Sequence, residues 1–219
     1  MTNVDQLLCP PASADASNSV PNDSRHAELA PLLSILLSII DESQSLVVNF
    51  TSALPGAGTS TVARNIAAAA AATGWCRVAL LEARPSADGL GRGLVDAVER
   101  GEIPALKPRR IGGFEIDTGR LSTTGRPLSR MDSLRKLYST LRERYFLVVV
   151  DCPAVFAGQQ TLMVAGAADE TVLVVEAEQT ALLDVARARG ALERRGAGVL
   201  GMVMNKSRSR IPAAFGGNA

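Results

Sequence analysis

The sequence predicts an α/β fold, a mostly parallel sheet with helices on both faces. Three observations predict it. Short apolar runs rich in Val and Leu recur along the chain, they alternate with helical patterns, and the first such pair is joined by a glycine-bearing loop. Runs that are apolar without alternation read as strands buried on both faces. Strands alternating with helices make a parallel sheet whose crossover helices cover it.

The elements follow in chain order. Residues 1–27 are rich in Ser, Asn, Pro and Asp, the composition of a disordered arm. Leu32, Leu33, Leu36, Leu37 and Ile40 recur at helical spacing and predict a helix before the first strand. Strands are predicted at Leu46–Thr51, Val78–Glu82, Phe146–Asp151, Thr171–Glu176 and Val199–Asn205. Helices are predicted at Ser60–Thr73, Ser129–Tyr145, Gln159–Ala167 and Ala181–Arg194. Asp88–Gly125 carries Gly, Pro and Arg clusters, and is expected to hold a short helix at Leu94–Arg100 and a hairpin or loop. One domain over residues 28–206 is expected, with a short flexible tail at 207–219.

Composition narrows the function. Net charge is +1 and aromatic content 4%, so neither a global field nor a stacking surface points to nucleic acid. Cys9, Cys76 and Cys152 are widely spaced, which fits neither a disulfide framework nor a metal-ligand pattern and suits a reduced cytoplasmic setting. Met1–Cys9 has no basic start and no apolar core, so no secretory signal is expected. The apolar patch Leu29–Ile40 contains Pro31 and is shorter than the roughly twenty residues a membrane span needs. His26 and the arginines Arg187, Arg189, Arg194, Arg195, Arg208 and Arg210 read as solvated surface. The arginines could also meet an acidic partner or an anionic membrane. Trp75 is expected at a helix–strand junction.

The chemistry concentrates in Ser52–Thr61, a phosphate-binding loop in its strand–loop–helix context and hence a P-loop NTPase-like architecture. Gly56 and Gly58 let backbone N–H groups converge on an anion, and the following helix adds its positive N-terminal end. Pro55, Gly56, Ala57, Gly58, Thr59, Ser60 and Thr61 are therefore the candidate nucleotide-binding residues, joined by Asn205, whose amide could face an adenine edge. Ligands of such sheets bind at the carboxyl ends of the strands, which puts the loop, Glu82 and Asp151 on one rim. Ser60 stands where a loop hydroxyl holds Mg²⁺, and Asp151 where a second carboxylate reaches it. Between Gly58 and Ser60, where phosphate chemistry calls for an ammonium group, the chain has Thr59. Lysine occurs only at 107, 136 and 206 against twenty arginines, so arginine would be the expected drift at that position.

Over residues 28–206 the chain resembles the P-loop domain of the bacterial tyrosine autokinases of capsule and exopolysaccharide synthesis, within the MinD/ParA-like group. The matching pieces are Thr51–Thr61, Arg77–Arg84, Gly93–Glu102 (GLVDAVERGE), Tyr145–Val155 (YFLVVVDCPAV) and the closing Ala168–Lys206. The resemblance implies ATP or ADP with Mg²⁺ as cofactor, and second-strand carboxylates that help bind the metal, here Glu82. It also implies docking on an inner-membrane polysaccharide co-polymerase and a homo- or hetero-oligomer.

The departures coincide with that machinery. Thr59 replaces the loop lysine, and Arg84 stands where the family has a metal ligand. The N-terminal helix keeps Glu28 but has Pro31 and Ser34 at the arginine positions. No tyrosine follows Tyr145, so Tyr138 and Tyr145 are the possible acceptors in this chain. A charge-assisted hydrogen bond contributes roughly 1.5–3 kcal/mol, so loss of the lysine alone should weaken nucleotide binding by about one to two decades. Arg84 is expected to pair with Asp151 or Glu82 and fill the metal site. It could instead reach phosphate as a substitute charge, or be a solvated arginine. The expectation is an accessory or regulatory pseudokinase-like protein of bacterial exopolysaccharide (capsule- or holdfast-type) synthesis or export. It would bind nucleotide weakly or not at all, and be cytoplasmic and peripheral at the inner membrane through its partner. The alternatives are an active ATPase or tyrosine kinase with an unusual loop, and a MinD/ParA-like positioning switch.

Overall fold

The structure, a computed structural model, describes residues 24–74, 76–83, 93–121 and 131–207. Of the expected arm at 1–27, residues 1–23 lie outside the described residues while 24–27 begin a helix; Trp75, Arg84, and the tail from 208 with Arg208 and Arg210 also lie outside, as do the side chains of His26 and Glu28.

A long helix opens the described chain, α1 (Ser24–Ser43), with Pro31 inside it. There follow β1 (Leu46–Ser52), α2 (Thr59–Ala72), β2 (Val78–Glu82), α3 (Leu94–Glu99), β3 (Lys107–Ile111), β4 (Phe114–Arg120) and α4 (Met131–Arg142). The chain continues through β5 (Leu147–Asp151), a single 3₁₀ turn at Val155–Ala157, α5 (Gln159–Ala167), β6 (Glu170–Glu176), α6 (Leu182–Glu193) and β7 (Val199–Asn205). The sheet order is β3-β4-β2-β5-β1-β6-β7, and every neighbouring pair is parallel except β3 with β4. The fold class is therefore as the alternation predicts. The hairpin expected within Asp88–Gly125 adds two strands at one edge, and turns through Gly112 and Gly113, both at positive φ.

Two layers sandwich the sheet. On one face Leu36 and Ile40 of α1 and Val62, Ile66, Ala67 and Ala70 of α2 pack on Leu46, Val48, Phe50, Leu80 and Val149. Ala63 and Ala67–Ala70 of α2 are buried, and their small side chains let the helix lie close to the strands. On the opposite face Leu134, Leu137, Tyr138 and Leu141 of α4 cover Val47, Leu81, Val148 and Val150, with Val95 of α3 and Val164 of α5 beside them. α6 closes that face over β6 through Ala188, Ala191 and Leu192.

One strand departs from its sequence pattern. Val199–Asn205 reads as a strand buried on both faces, yet β7 is an edge strand in which Met202 and Met204 are exposed. Apolar content reports what a strand could bury, and the chain supplies no neighbour beyond β7 among the described residues. The other edge strand, β3, carries Lys107, Pro108, Arg109 and Arg110, residues that discourage further pairing.

Candidate nucleotide loop and its supports

Parallel pairing aligns the carboxyl ends of the strands. Phe50 and Glu82 are both in register with Asp151, Ser52 with Val174, and Glu176 with Asn205. The loop between β1 and α2 rises from the middle of this rim. Gly56 and Gly58 take φ of 90° and 87°, a region that favours glycine, and Gly58 forms the left-handed entry to α2. The first bonds of the helix run from the N–H groups of Thr61 and Val62 to the Gly58 carbonyl, so earlier N–H groups stand outside its ladder. The Ser52 hydroxyl donates to the Leu54 carbonyl at 2.8 Å and steadies the start of the loop.

The loop is also held from β7. The Asn205 side-chain amide donates to the Ala57 carbonyl at 2.8 Å, and Lys206 Nζ donates to the Gly56 carbonyl at 2.8 Å. Lys206 takes φ of 59° and pairs with Glu176 at 3.1 Å. A Cβ on Gly58 would collide with Asn205 Nδ2, so this approach requires glycine there. One amide hydrogen of Asn205, expected to face an adenine edge, is thus engaged by the loop.

Two cavities flank Gly58. One, of about 320 Å³, is lined by Ser52, Pro55, Gly56, Gly58, Thr59, Ser60 and the Pro153–Ala154 turn. The Thr51 and Thr161 hydroxyls hold that turn through the Pro153 carbonyl, at 2.6 and 3.5 Å. The other, of about 390 Å³, lies between α2, Leu29 and the end of β7, and includes Thr61, Asn65, Asn205 and Lys206. The glycine-bearing loop, the helix start and two adjoining cavities fit the phosphates and nucleoside of a nucleotide. Thr59 is buried and brings no charge.

The metal candidates are arranged differently. Ser60 lines the first cavity, whereas Glu82 and Asp151 are not among its described lining residues. Asp151 is buried, and its backbone carbonyl accepts from Ala83. The Glu82 carboxylate faces three guanidiniums, Arg120 at 3.6 Å, Arg64 at 3.8 Å and Arg109 at 4.0 Å. Cations therefore flank Glu82, one of the three metal candidates. Among the described residues no group of three or more His, Cys, Asp or Glu could hold a metal.

Both tyrosines are inside the fold. Tyr138 and Tyr145 are each 1% exposed, which corrects the expectation that they could serve as acceptors in the folded chain. Both rings belong to the core cluster on the α4 side of the sheet. Tyr145 donates to Asp117 at 2.7 Å, and the guanidiniums of Arg77 and Arg144 lie 5.6 and 5.7 Å from its ring centre. Burial and the Asp117 bond push its hydroxyl up to about 12, and burial raises that of Tyr138 well above its ordinary value.

Sequence reasoning missed Lys206, Glu176 and the arginines around Glu82. Only Lys206 left a signal, as one of three lysines and the residue next to a strand-terminal Asn. The exposed arginines of α6 form intrahelical pairs, Arg189 with Glu193 and Arg187 with Asp184, as a solvated face does. No helix is long and apolar enough to cross a membrane among the described residues.

Comparison with known proteins sets this site in context. No protein-family model matches the chain. A Ralstonia solanacearum protein named as a tyrosine-protein kinase, EpsB, is 28% identical over 204 residues, covering 85% of this chain. The chain spans only about a quarter, 26%, of that protein's length. The kinase domain of the Escherichia coli tyrosine kinase ETK superposes with a TM-score of 0.71 at 20% identity, covering 91% of this chain and 83% of that one. The septum site-determining protein MinD of Pyrococcus horikoshii, complexed with Mg-ADP, gives a TM-score of 0.57 at 18% identity, covering 78% of this chain and 75% of that one. The resemblance read from the sequence motifs is borne out. Its relatives in sequence are named as tyrosine-protein kinases, and solved structures that share its fold include the ETK kinase domain and MinD.

Proposed function

We propose that this chain is an accessory or regulatory, kinase-like protein of bacterial exopolysaccharide synthesis or export that keeps a nucleotide cradle and does not transfer phosphoryl groups. The observation that carries this reading is Thr59, buried and uncharged at the lysine position of an otherwise formed loop. Charge on a transferring phosphoryl group must be neutralised, and the uncharged Thr59 does not do so. The two buried tyrosines support it, because the folded chain offers no phenol for autophosphorylation. Pro55, Gly56, Ala57, Gly58, Ser60 and Thr61 would hold the phosphates of ATP or ADP, and Thr61, Asn65 and Asn205 would meet the nucleoside. Bound nucleotide would supply conformational stability to the loop.

In this reading the chain docks on an inner-membrane polysaccharide co-polymerase and lies at the membrane through it. Named kinase relatives support the exopolysaccharide setting, although the chain spans about a quarter of their length, 26%. Complementation tests the reading. A deletion strain should regain polymer output with the wild-type gene and equally with an Asp151→Asn variant that accumulates to the same soluble level. Failure of that variant at normal abundance would mean that the site performs chemistry.

A further inference from the structure

Lys206 and Asn205 act on consecutive peptide units. The Gly56 carbonyl, which accepts from Lys206 Nζ at 2.8 Å, belongs to the same peptide unit as the Ala57 N–H. The Ala57 carbonyl, which accepts from Asn205 at 2.8 Å, belongs to the same unit as the Gly58 N–H. Those N–H groups are the donors such a loop turns toward an anion. A hydrogen bond to one end of a peptide polarises the other, and an ammonium donor does so more strongly than an amide. Lys206 is also the only charged residue among the described linings of the two cavities beside Gly58. Its own charge is partly offset by Glu176 at 3.1 Å.

We infer that Lys206 replaces the missing loop lysine indirectly, as a positioning residue that strengthens the loop's anion-binding N–H groups from their carbonyl side. This rests on the reading that the loop takes a nucleotide. It adds a specificity. A lysine at position 59 would favour a triphosphate by reaching its terminal phosphate, whereas polarised peptides at Gly56–Gly58 act on the phosphate seated in the loop. The site therefore binds nucleoside di- and triphosphates nearly equally, and Glu176 sets how much of the lysine charge the loop feels.

Calorimetric titration of the full chain with ADP and with ATP tests this, using wild type, Lys206→Gln and Glu176→Gln, with melting temperatures recorded for each. Lys206→Gln should weaken both nucleotides about tenfold, and Glu176→Gln should tighten both about twofold to threefold. The ATP-to-ADP affinity ratio should stay within about threefold throughout. A merely structural latch would lose affinity in both variants, and that result overturns the inference. So does an unchanged affinity in Lys206→Gln, a loss confined to ATP, or wild type that binds neither nucleotide at millimolar concentration. Lys206→Arg should restore most of the affinity, since a cation on the carbonyl is what matters. A wild type that binds neither nucleotide defeats the cradle reading on which the inference rests, whereas the other contrary results, with wild type binding, defeat the inference alone.

Discussion

Glu82 meets Arg120 across the β2–β4 ladder, carboxylate to guanidinium, at 3.6 Å, on the carboxyl-end rim of the sheet. Arg64 from α2 and Arg109 from β3 approach the same carboxylate, so it links α2, β3 and β4 to β2.

Glu82→Gln should therefore act on stability and leave metal response alone. The arginines are 42–61% exposed, and exposed pairs contribute at most about 1 kcal/mol each, so a total loss of about 1 kcal/mol is expected. Thermal melting measures it. Nucleotide titration with and without Mg²⁺ should give the same ratio in both proteins, and abolition of a Mg²⁺ effect in the variant would make Glu82 a ligand after all.

Restoring the lysine should restore discrimination. Thr59→Lys is expected to tighten ATP by about tenfold or more, with ADP gaining less, because a charge-assisted bond to phosphate contributes roughly 1.5–3 kcal/mol. Competition between the two nucleotides reads this out. Equal gains would place the new ammonium away from the terminal phosphate.

The tyrosines predict opposite responses to loss of a hydroxyl. Tyr145→Phe removes the bond to Asp117 and should cost about 1 kcal/mol. Tyr138 Oη is buried without a hydrogen-bond partner among the described residues, so Tyr138→Phe should be neutral or stabilising. Denaturant melts of the two variants compare them.

Alkaline titration has a definite sign. The Tyr145 hydroxyl is raised from 10.0 to about 12, so its protonated form is favoured by folding. That contribution is complete below about pH 10 and is lost as pH rises toward 12. Stability should fall across this window, and less steeply in Tyr145→Phe. An unchanged slope would mean that other groups govern alkaline unfolding.

At the opposite end of the sheet, Asp169 accepts from Arg142 at 2.6 Å and from the Val47 N–H at 2.8 Å, tying α4 and β1 to the start of β6. Asp169→Ala should cost about 2 kcal/mol, since it breaks a charge-assisted pair and strands a backbone donor. A fall in melting temperature of about 4–8 °C is expected for a chain of this size.

The rim's composition was legible in the sequence and its wiring was not. Local pattern fixes a strand such as Leu147–Asp151 or a helix such as Gln159–Ala167, because periodicity and apolar content are properties of neighbours in sequence. The loop was legible for the same reason, its glycines and flanks being contiguous. Lys206 acts on Gly56 across 150 residues, and the arginines of Glu82 come from three separate elements. Only sheet order brings such groups together, and sheet order is a long-range outcome. Met202 and Met204 make the same point from the other side, apolar residues of a strand pattern left exposed at an edge.

Phosphoryl transfer is the decisive quantity. The chain at stoichiometric concentration with γ-labelled ATP and Mg²⁺ should release no phosphate above the rate in buffer and carry no label, alone or with an added polysaccharide co-polymerase. Phosphate release or label incorporation that disappears in Asp151→Asn would contradict the account and make this loop, without its lysine, a working active site.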